Sequence, residues 1–314
     1  MRIEGERILV TGGLGFIGRH LVRALVDRGA SVVVFDKEGR RAGSVRAADG
    51  VAIVQGDLGA ADLAPTMRDC TAVLHLAASA DVRVGEERPA EVLRDNVLAT
   101  ARLLEAMAAA QVTSFGFAST STVYGEPSVI PTPETYEPLA PVSVYGASKL
   151  AGEGLIHAFA SNHACRAAVW RFANVVGPGS RGVVRDFVDK LRANPSELKI
   201  LGRSPGTRKS YVHIEDAIDR MLRSWSAVDV GVHAFNIGSE DAITVEEVAN
   251  RVCEALRLGG VPYRWTGGVD WGGWRGDVRA MALAVDKLRA LGWRPRLRSA
   301  EAVARAAKEL DVQR

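Results

Sequence analysis

Short runs of apolar, mostly β-branched residues recur along the first half of the chain, and segments with helical spacing separate them. Continuous apolar runs are typical of strands covered on both faces, as in parallel sheets. The predicted strands are Arg7–Thr11, Ser31–Asp36, Val51–Asp57, Ala72–Ala78 and Ser114–Thr120. Strands that alternate with helices imply right-handed crossovers, so the pattern predicts an α/β fold with a doubly wound parallel sheet.

The same pattern predicts two long helices. The stretch Pro89–Ala110 has a proline near its start and one apolar stripe. The stripe consists of Leu93, Val97, Thr100, Leu104 and Met107. The second helix covers Ser143–Asn162, and a further strand follows at Arg166–Phe172.

Beyond Gly177 the elements become shorter and alternate less regularly. A helix over Ile243–Leu256 opens with a capping box, in which Thr244 is followed three residues later by Glu247. We therefore expect residues 1–175 to form the sheet domain. Residues 176–314 are expected to form a smaller C-terminal lobe, from which the chain can cross back to the sheet.

Composition narrows the class of protein. The 314 residues are 47% hydrophobic and 25% charged, with a formal net charge of +3, so we expect neither nucleic acid nor a membrane as a partner. Three cysteines far apart in the chain fit a reducing compartment, and the N-terminus lacks the apolar core of a signal peptide. We expect a cytoplasmic protein with no metal site, because no metal-binding spacing of Cys or His occurs.

A glycine-rich loop follows the first predicted strand and opens a helix. Gly12, Gly15 and Gly18 allow a tight turn, a close approach of phosphate to the backbone, and close packing of helix on strand. The helix N-terminus offers free N–H groups and a partial positive charge. Asp36 ends the second strand, where its carboxylate can bind ribose hydroxyls. The context predicts a Rossmann-type dinucleotide site, although a turn that needs glycine for backbone reasons alone is the alternative.

The residues after Asp36 bear on which dinucleotide is bound. Lys37, Arg40 and Arg41 could favour a 2′-phosphate. Asp36 would repel that phosphate, so the sequence favours NAD over NADP.

The segment "YGASK" carries a tyrosine and a lysine four residues apart, Tyr145 and Lys149. Residues at this spacing share a helix face, so the ammonium is expected to depress the pKa of the phenol from about 10. The resulting tyrosinate could take a proton from a sugar hydroxyl. An exposed pair without a role is the alternative from spacing alone.

Several ordered motifs across nearly the whole chain resemble the extended short-chain dehydrogenase/reductase family. They are "TGGLGFIG" (Thr11–Gly18), "HLAA" (His75–Ala78), "STSTVYG" (Ser119–Gly125), "YGASK" (Tyr145–Lys149), "RFANVVGPG" (Arg171–Gly179), "GTRKSYVHIEDA" (Gly206–Ala217) and "FNIGSE" (Phe235–Glu240). Within that family the sequence is most similar to NAD-dependent nucleotide-sugar 4-epimerases of the UDP-glucose 4-epimerase type.

The resemblance implies roles for individual residues. Tyr145 would be the catalytic base and Thr120 would complete a triad with Lys149, with Ser119 and Ser121 as neighbours that a shift of register would implicate. The implied NAD contacts are Gly12, Gly15, Phe16, Ile17, Gly18, Asp36, Lys37, Asp57, Leu58, Leu76, Ala77, Ala78, Asn96, Tyr145, Lys149 and Phe172. For Asn96, a structural role in its helix is an equal alternative.

The resemblance also places a nucleotide-diphosphate sugar between the sheet and the smaller lobe. The implied contacts are Arg83, Ser121, Thr122, Asn174, Val183, Phe187, Arg208 and Arg275. Arg208 and Arg275 would pair with phosphate oxygens, and their alternative is an exposed surface charge. Trp271 and Trp274 would stack on a base or sugar, or pack within the lobe.

The expected reaction is epimerisation at C4 through a transient 4-keto sugar. A dehydratase of this group would carry Asp-Glu where this chain has Ser121-Thr122, which disfavours dehydration. A decarboxylase, with Arg83 or Arg185 near the substrate carboxylate, a 4-keto reductase and a non-catalytic NAD-binding sensor remain alternatives. Relatives pair through two helices from each subunit, so we expect a homodimer through the two long helices.

Overall fold

A computed structural model of the chain describes residues 3–37, 50–269, 273–274, 276–294 and 296–312. The chain forms two compact units, each made of three segments and each with a hydrophobic core of its own. The first unit comprises Met1–Val123, Ser143–Arg171 and Ile218–Phe235. The second comprises Tyr124–Val142, Phe172–Ala217 and Asn236–Arg314.

The first unit is built on a seven-stranded sheet, with strands numbered in chain order through the whole molecule. Its strands are β1 (Arg7–Thr11), β2 (Ser31–Asp36), β3 (Val51–Gln55), β4 (Ala72–His75), β5 (Ser114–Thr120), β6 (Arg166–Phe172) and β11 (Gly231–Ile237). Their order is β11-β6-β5-β4-β1-β2-β3, with parallel pairing from β3 through to β5. The order reverses at β1, between β2 and β4, and ligands of such sheets bind at the carboxyl ends of the strands beside this reversal.

Helices connect the strands of the first unit. They are α1 (Phe16–Val26), α2 (Ala64–Met67), α3 (Val82–Glu87), α4 (Pro89–Leu93), α5 (Ala99–Ala109) and α6 (Val144–His163). A π-helical turn, Arg94–Leu98, joins α4 to α5, and a 3₁₀ turn, Ser121–Tyr124, follows β5. The core between sheet and helices contains Leu9, Val33, Val73, Phe115 and Ile156.

The single stripe predicted over Pro89–Ala110 is wrong at its first residue. Leu93 is 44% exposed, whereas its neighbour Val92 is fully buried. The π-helical turn inserts about one extra residue into the helix and rotates the faces before and after it relative to each other. Thr100, Leu104 and Met107, all beyond the turn, are buried as predicted.

The second unit contains small sheets and a helical layer. Its strands are β7 (Asn174–Val176), β8 (Leu198–Leu201), β9 (Arg208–Lys209), β10 (Tyr211–His213), β12 (Ile243–Thr244), β13 (Tyr263–Thr266) and β14 (Ala280–Met281). They form the sheets β10-β7, β12-β9-β14 and β13-β8. Its helices are α7 (Val183–Ala193), α9 (Val245–Ala255), α10 (Asp286–Ala290) and α11 (Ser299–Val312). The intervening helix α8 (Ile214–Ala227) belongs to the first unit from Ile218 onward.

The sheet predicted from the apolar runs is confirmed, with two strand ends corrected. β3 ends at Gln55 because Asp57 folds back to accept the N–H of Gly59, a local turn that competes with strand pairing. β4 ends at His75, where its neighbour β1 turns into the glycine loop. The capping box at Thr244 and Glu247 is also confirmed, and it opens α9 after the short strand β12.

Candidate active site

The glycine loop leaves β1 in a backbone conformation that only glycine adopts without strain. Gly12 has φ of +68°, and a Cβ there would lie 2.7 Å from the backbone nitrogen of Ala77. A Cβ on Gly18 would lie 2.1 Å from the carbonyl oxygen of Gly12. The loop and the first turn of α1 therefore pack backbone against backbone, with no room for a side chain.

The start of α1 suits a dinucleotide phosphate. The helix begins at Phe16 and Ile17, no side chain caps it at Gly15, and no acidic residue lies in its first turn. Its N–H groups and partial positive charge are therefore available to an anion. At the end of β2, a carboxylate oxygen of Asp36 accepts the N–H of Leu14 at 3.0 Å, which holds the ribose-binding candidate beside the loop. The glycine loop, the N-terminus of α1 and Asp36 therefore fit the NAD that the sequence predicts.

The next cofactor candidates form a charged cluster. The Lys37 ammonium lies 3.0 Å from an Asp95 oxygen and 3.3 Å from an Asp57 oxygen. The N–H of Gly59 and the Lys37 ammonium lower the pKa of Asp57 against the effect of partial burial. Leu58 beside it is buried. Lys37 is thus engaged by two carboxylates, while Arg40 and Arg41 lie outside the described residues.

A chain of buried hydrogen bonds runs beneath the segment Leu76–Ala78. The Thr11 hydroxyl lies 2.6 Å from His75 Nδ1, and the Thr100 hydroxyl lies 3.0 Å from Nε2. Since the Thr100 hydroxyl donates to the carbonyl of Asn96, its oxygen accepts from His75 Nε2, which fixes the neutral tautomer. Burial and the charge of Lys149 lower the pKa of His75 to about 3. The N–H of Ala77 donates to the Thr11 hydroxyl at 3.4 Å, so this series of hydrogen bonds extends to the predicted cofactor segment Leu76–Ala78.

Asn96 lies in the π-helical turn with its side chain buried. Its amide donates to the Ser79 carbonyl at 3.0 Å and to the Ser148 hydroxyl at 2.9 Å, and its oxygen accepts the N–H of Ser79 at 2.7 Å. Ser148 in turn donates to the carbonyl of Tyr145. Both amide hydrogens are therefore used within the protein, and they tie the loop after β4 to the first turn of α6.

The three residues of the predicted triad lie at the end of β5 and in the first two turns of α6, within the first unit. Thr120 ends β5, and its hydroxyl hydrogen-bonds that of Tyr145 in the first turn of α6. The Thr120 oxygen also lies 3.1 Å from the Thr122 hydroxyl and accepts the N–H of Thr122. Lys149 is buried one turn beyond Tyr145, and Ser121 is buried in the turn after β5.

The prediction that Lys149 lowers the pKa of the Tyr145 phenol is wrong. Burial raises the pKa of Tyr145 to about 12, and the hydrogen bond with Thr120 opposes that rise. The Lys149 ammonium lies 4.7 Å from the centre of the Phe117 ring, and burial lowers its own pKa to about 7. The two residues lie one turn apart on α6, but the phenol remains protonated at neutral pH.

The remaining candidates lie in different surroundings. Phe172 is buried at the end of β6, and Phe187 packs in the core of the second unit. Asn174 is exposed in β7, where its amide donates to the Ser210 carbonyl, and Val183 begins α7. Trp274 is exposed. Arg275, Trp271 and the side chain of Arg83 lie outside the described residues.

Arg208 and Lys209 of β9 point to opposite sides, as successive strand residues do. Arg208 is exposed and donates to the carbonyl of Ala242. Lys209 is partly buried and pairs with the buried carboxylate of Asp277. Lys209 was not among the residues predicted from the sequence. Because side chains alternate along a strand, its position two residues before the buried Tyr211 would have indicated that it faces inward.

The described part of the chain contains neither a candidate metal site nor a candidate membrane-spanning helix. Within the described ranges, no group of three His, Cys, Asp or Glu side chains could hold a metal ion. No helix in that same part is long and apolar enough to cross a membrane.

Known proteins show the same fold and sequence pattern. A sequence profile of the NAD-dependent epimerase/dehydratase family matches residues 8–238. A UDP-glucose 4-epimerase of Mycolicibacterium smegmatis is 31% identical over 95% of this chain and 96% of its own length. A crystal structure of a UDP-galactose 4-epimerase is 41% identical, with a TM-score of 0.84 over 97% of this chain and 98% of that one.

A second solved structure contains the cofactor. The Thermus thermophilus UDP-glucose 4-epimerase in complex with NAD is 31% identical, with a TM-score of 0.85 over 97% of this chain and 98% of that one. NAD is the cofactor that the glycine loop and Asp36 of this chain fit. The chain belongs to the NAD-dependent epimerase/dehydratase family.

Proposed function

We propose that this protein interconverts two C4 epimers of a nucleotide-diphosphate sugar through a transient 4-keto sugar. The observation that carries the proposal is the hydrogen bond between Thr120 and Tyr145, with the buried Lys149 one turn further along α6, in the unit that carries the glycine loop. A phenol hydrogen-bonded to a second hydroxyl, beside a buried lysine, is suited to move a proton at a sugar oxygen.

Each residue of the triad has a separate task in this proposal. The tyrosinate of Tyr145 accepts the proton of the sugar 4-hydroxyl at its Oη atom and later returns it. Thr120 hydrogen-bonds the same sugar oxygen, and Lys149 holds the ribose next to the reacting ring of the cofactor. When bound, NAD would supply a reversible acceptor for the C4 hydride, and the positive charge of its oxidised ring would favour the tyrosinate of Tyr145.

The surroundings of the triad support epimerisation over dehydration. Elimination of water needs a second acid/base pair beside the sugar. The turn after β5 presents Ser121 and Thr122, and the Thr122 hydroxyl is engaged with Thr120. With hydroxyl groups in these positions, the simplest cycle returns the hydrogen to C4 and is redox-neutral.

The second unit supplies the candidate substrate contacts. Asn174 and Arg208 remain candidates for the diphosphate, together with Val183 and Phe187 for the sugar. Lys209 joins them because it is the partly buried cation of β9, beside Asp277. UDP-sugars are the first substrates to test, since the similar proteins named above act on UDP-glucose and UDP-galactose.

The test incubates the purified protein with UDP-glucose, UDP-glucuronate and UDP-N-acetylglucosamine in separate reactions without added cofactor, followed by proton NMR. We expect one of them to reach an equilibrium between two C4 epimers. Release of carbon dioxide would assign a decarboxylase, and accumulation of a keto sugar would assign a dehydratase. No turnover of any nucleotide sugar in a wider panel would favour the non-catalytic sensor.

We also propose a homodimer formed by α6 together with the helices on either side of the π-helical turn. Ala147, Ala151, Gly154 and Ala158 are all exposed and follow one another at helical spacing along one stripe of α6. Leu93 and Leu98 are large apolar residues exposed on the neighbouring segment. Small residues on one helix allow close approach of a second copy, and the leucines would be buried by it.

Replacing Gly154 with Glu is expected to convert the dimer into a folded monomer. A Cβ at this position meets no atom within 4 Å in the single chain, so the fold accepts the side chain. Pairing of two such helices would bury two carboxylates, one from each copy, at a cost that pairing cannot offset. Sedimentation velocity measures the state directly, with Gly154→Ala as the matched variant that stays dimeric. A monomeric wild type, or a dimeric Glu variant, would refute the interface.

A further inference from the structure

A buried ionic cluster lies behind the triad, and none of its members is used in the reaction proposed above. The Glu153 carboxylate of α6 accepts hydrogen bonds from Arg171 Nε at 3.1 Å and from Arg171 Nη2 at 2.7 Å. The Ser119 hydroxyl of β5 also donates to Glu153. All three side chains are buried. The cluster is thus a fully partnered carboxylate inside the first unit.

Such a cluster is a weak source of stability. Removing a carboxylate and a guanidinium from water is unfavourable, and replacing a buried ion pair by apolar side chains is often neutral or stabilising. Its position is more informative than its strength. Ser119 precedes Thr120 in β5, and Glu153 follows Lys149 by one turn and Tyr145 by two turns in α6. One carboxylate therefore joins the strand of one triad residue to the helix of the other two.

The cluster also determines the electrostatics at Lys149. Burial lowers the pKa of Lys149 to about 7, and the negative charge of Glu153 acts against that lowering. The other titratable groups around the ammonium carry no negative charge at neutral pH. His75 of β4 is neutral, because burial lowers its pKa to about 3, and Tyr145 is a neutral phenol. Arg171 of β6 is cationic and bound to Glu153, and the Phe117 ring of β5 lies against the ammonium.

We propose that Glu153 is a positioning residue, which sets the charge of Lys149 from behind the active site and, through Ser119, fixes Thr120 relative to the helix of Tyr145. The proposal rests on the epimerase function insofar as a charged Lys149 is needed to hold the cofactor ribose and to support the tyrosinate. Arg171 holds the carboxylate in place through two hydrogen bonds. Glu153 itself contacts neither cofactor nor substrate in this role.

The test is a titration of Lys149 by NMR in protein carrying ¹³C at lysine Cε. The chain has seven lysines, so few signals overlap, and the signal of Lys149 is identified by its absence from Lys149→Arg. An opposite charge nearby shifts a pKa by about 1–3 units, so Glu153→Gln is expected to lower the midpoint of Lys149 by about one unit or more. Gln keeps one acceptor oxygen for Ser119 and Arg171 Nε, but its amide nitrogen cannot accept from Arg171 Nη2, so the change removes the charge and one hydrogen bond. Glu105→Gln, an exposed change on α5, is the matched control with an unchanged midpoint.

The rate gives a second readout that a merely structural role would not move. Because Glu153→Gln lowers the midpoint, less Lys149 is charged at pH 7, so turnover at pH 7 is expected to fall and the optimum to move to lower pH. The titration needs no sugar, so a failure of the proposed function leaves this test intact. An unchanged Lys149 midpoint in Glu153→Gln would overturn the proposal.

Folding of the variant is controlled separately. If Glu153→Gln does not fold, Glu153→Asp replaces it, since Asp keeps the charge and withdraws it by one methylene. Because the charge then lies farther from Lys149, the midpoint of Lys149 is expected to fall by about half a unit, and an unchanged or higher midpoint would contradict the role of the charge. A wild-type midpoint below about 5.5 would also overturn the proposal, because Lys149 would then be neutral despite the carboxylate.

Discussion

Tyr145→Phe is expected to lower the rate of epimerisation by about 10²–10⁴-fold with little change in the binding of NAD. The change removes one oxygen atom, which is the proton acceptor in the proposed reaction. It leaves the ring in the first turn of α6 and the hydrogen bonds of Ser143 and Ser148 to the backbone there. Rates are measured by proton NMR with the sugar that the wild type converts, and the bound cofactor is measured by absorbance after denaturation.

Tyr136→Phe is the matched control. The hydroxyl of Tyr136 accepts the N–H of Ser128 within its own loop, so this variant is expected to retain the wild-type rate. Titration of tyrosine absorbance provides a second check, because the wild type minus Tyr145→Phe gives the ionisation of Tyr145 alone. The pKa of that group is expected near 12 in the free protein and lower once NAD is bound. A Phe variant with a wild-type rate would remove Tyr145 from the chemistry.

Gly18→Ala is expected to weaken NAD binding by about two orders of magnitude and to destabilise the first unit. The added Cβ would lie 2.1 Å from the Gly12 oxygen and 2.7 Å from the Gly13 Cα, and neither backbone atom can move without opening the loop. Overpacking of this kind costs about 3 kcal/mol, which corresponds to a loss of about two orders of magnitude in affinity if it falls on the bound state. Calorimetric titration with NAD and thermal unfolding measure the two effects.

The matched change is Gly154→Ala, also a glycine within a helix. Its Cβ would meet no atom within 4 Å, so the variant is expected to bind NAD normally and to gain up to about 1 kcal/mol in helix stability. Comparison of Gly18→Ala with Gly154→Ala separates the effect of a clash with neighbouring backbone atoms from the effect of a change in helix propensity. Normal NAD affinity in Gly18→Ala would show that the loop is not the cofactor site.

The sheet of the first unit could be predicted because its signals are local. Each apolar run, such as Ser31–Asp36, is long enough to be recognised by itself, and the glycines of the loop stand directly after the first run. The candidate pair Tyr145 and Lys149 could also be proposed, since the two residues are four apart in one helix. In both cases the informative residues are neighbours in the sequence.

What the sequence did not reveal depends on partners far away in the chain. The π-helical turn that exposes Leu93 is stabilised around Asn96, whose partners Ser79 and Ser148 belong to two other segments. The phenol of Tyr145 is protonated because burial outweighs its polar contact, and burial is a property of the folded chain. Glu153 resembles any helical glutamate until Arg171 and Ser119 are seen beside it.

The buried His75 has a consequence for acid tolerance. In the native protein this imidazole stays neutral down to about pH 3, whereas in the unfolded chain it takes up a proton near pH 6.5. Between these values the unfolded state binds more protons, so His75 lowers the free energy of unfolding by about 1.4 kcal/mol for each pH unit of acidification. The same neutrality means that the hydrogen bonds from Thr11 to Asn96 do not change across the physiological range. His75 therefore lowers the stability of the protein in acid, and the hydrogen bonds that support the predicted cofactor segment keep the same donors and acceptors at neutral pH.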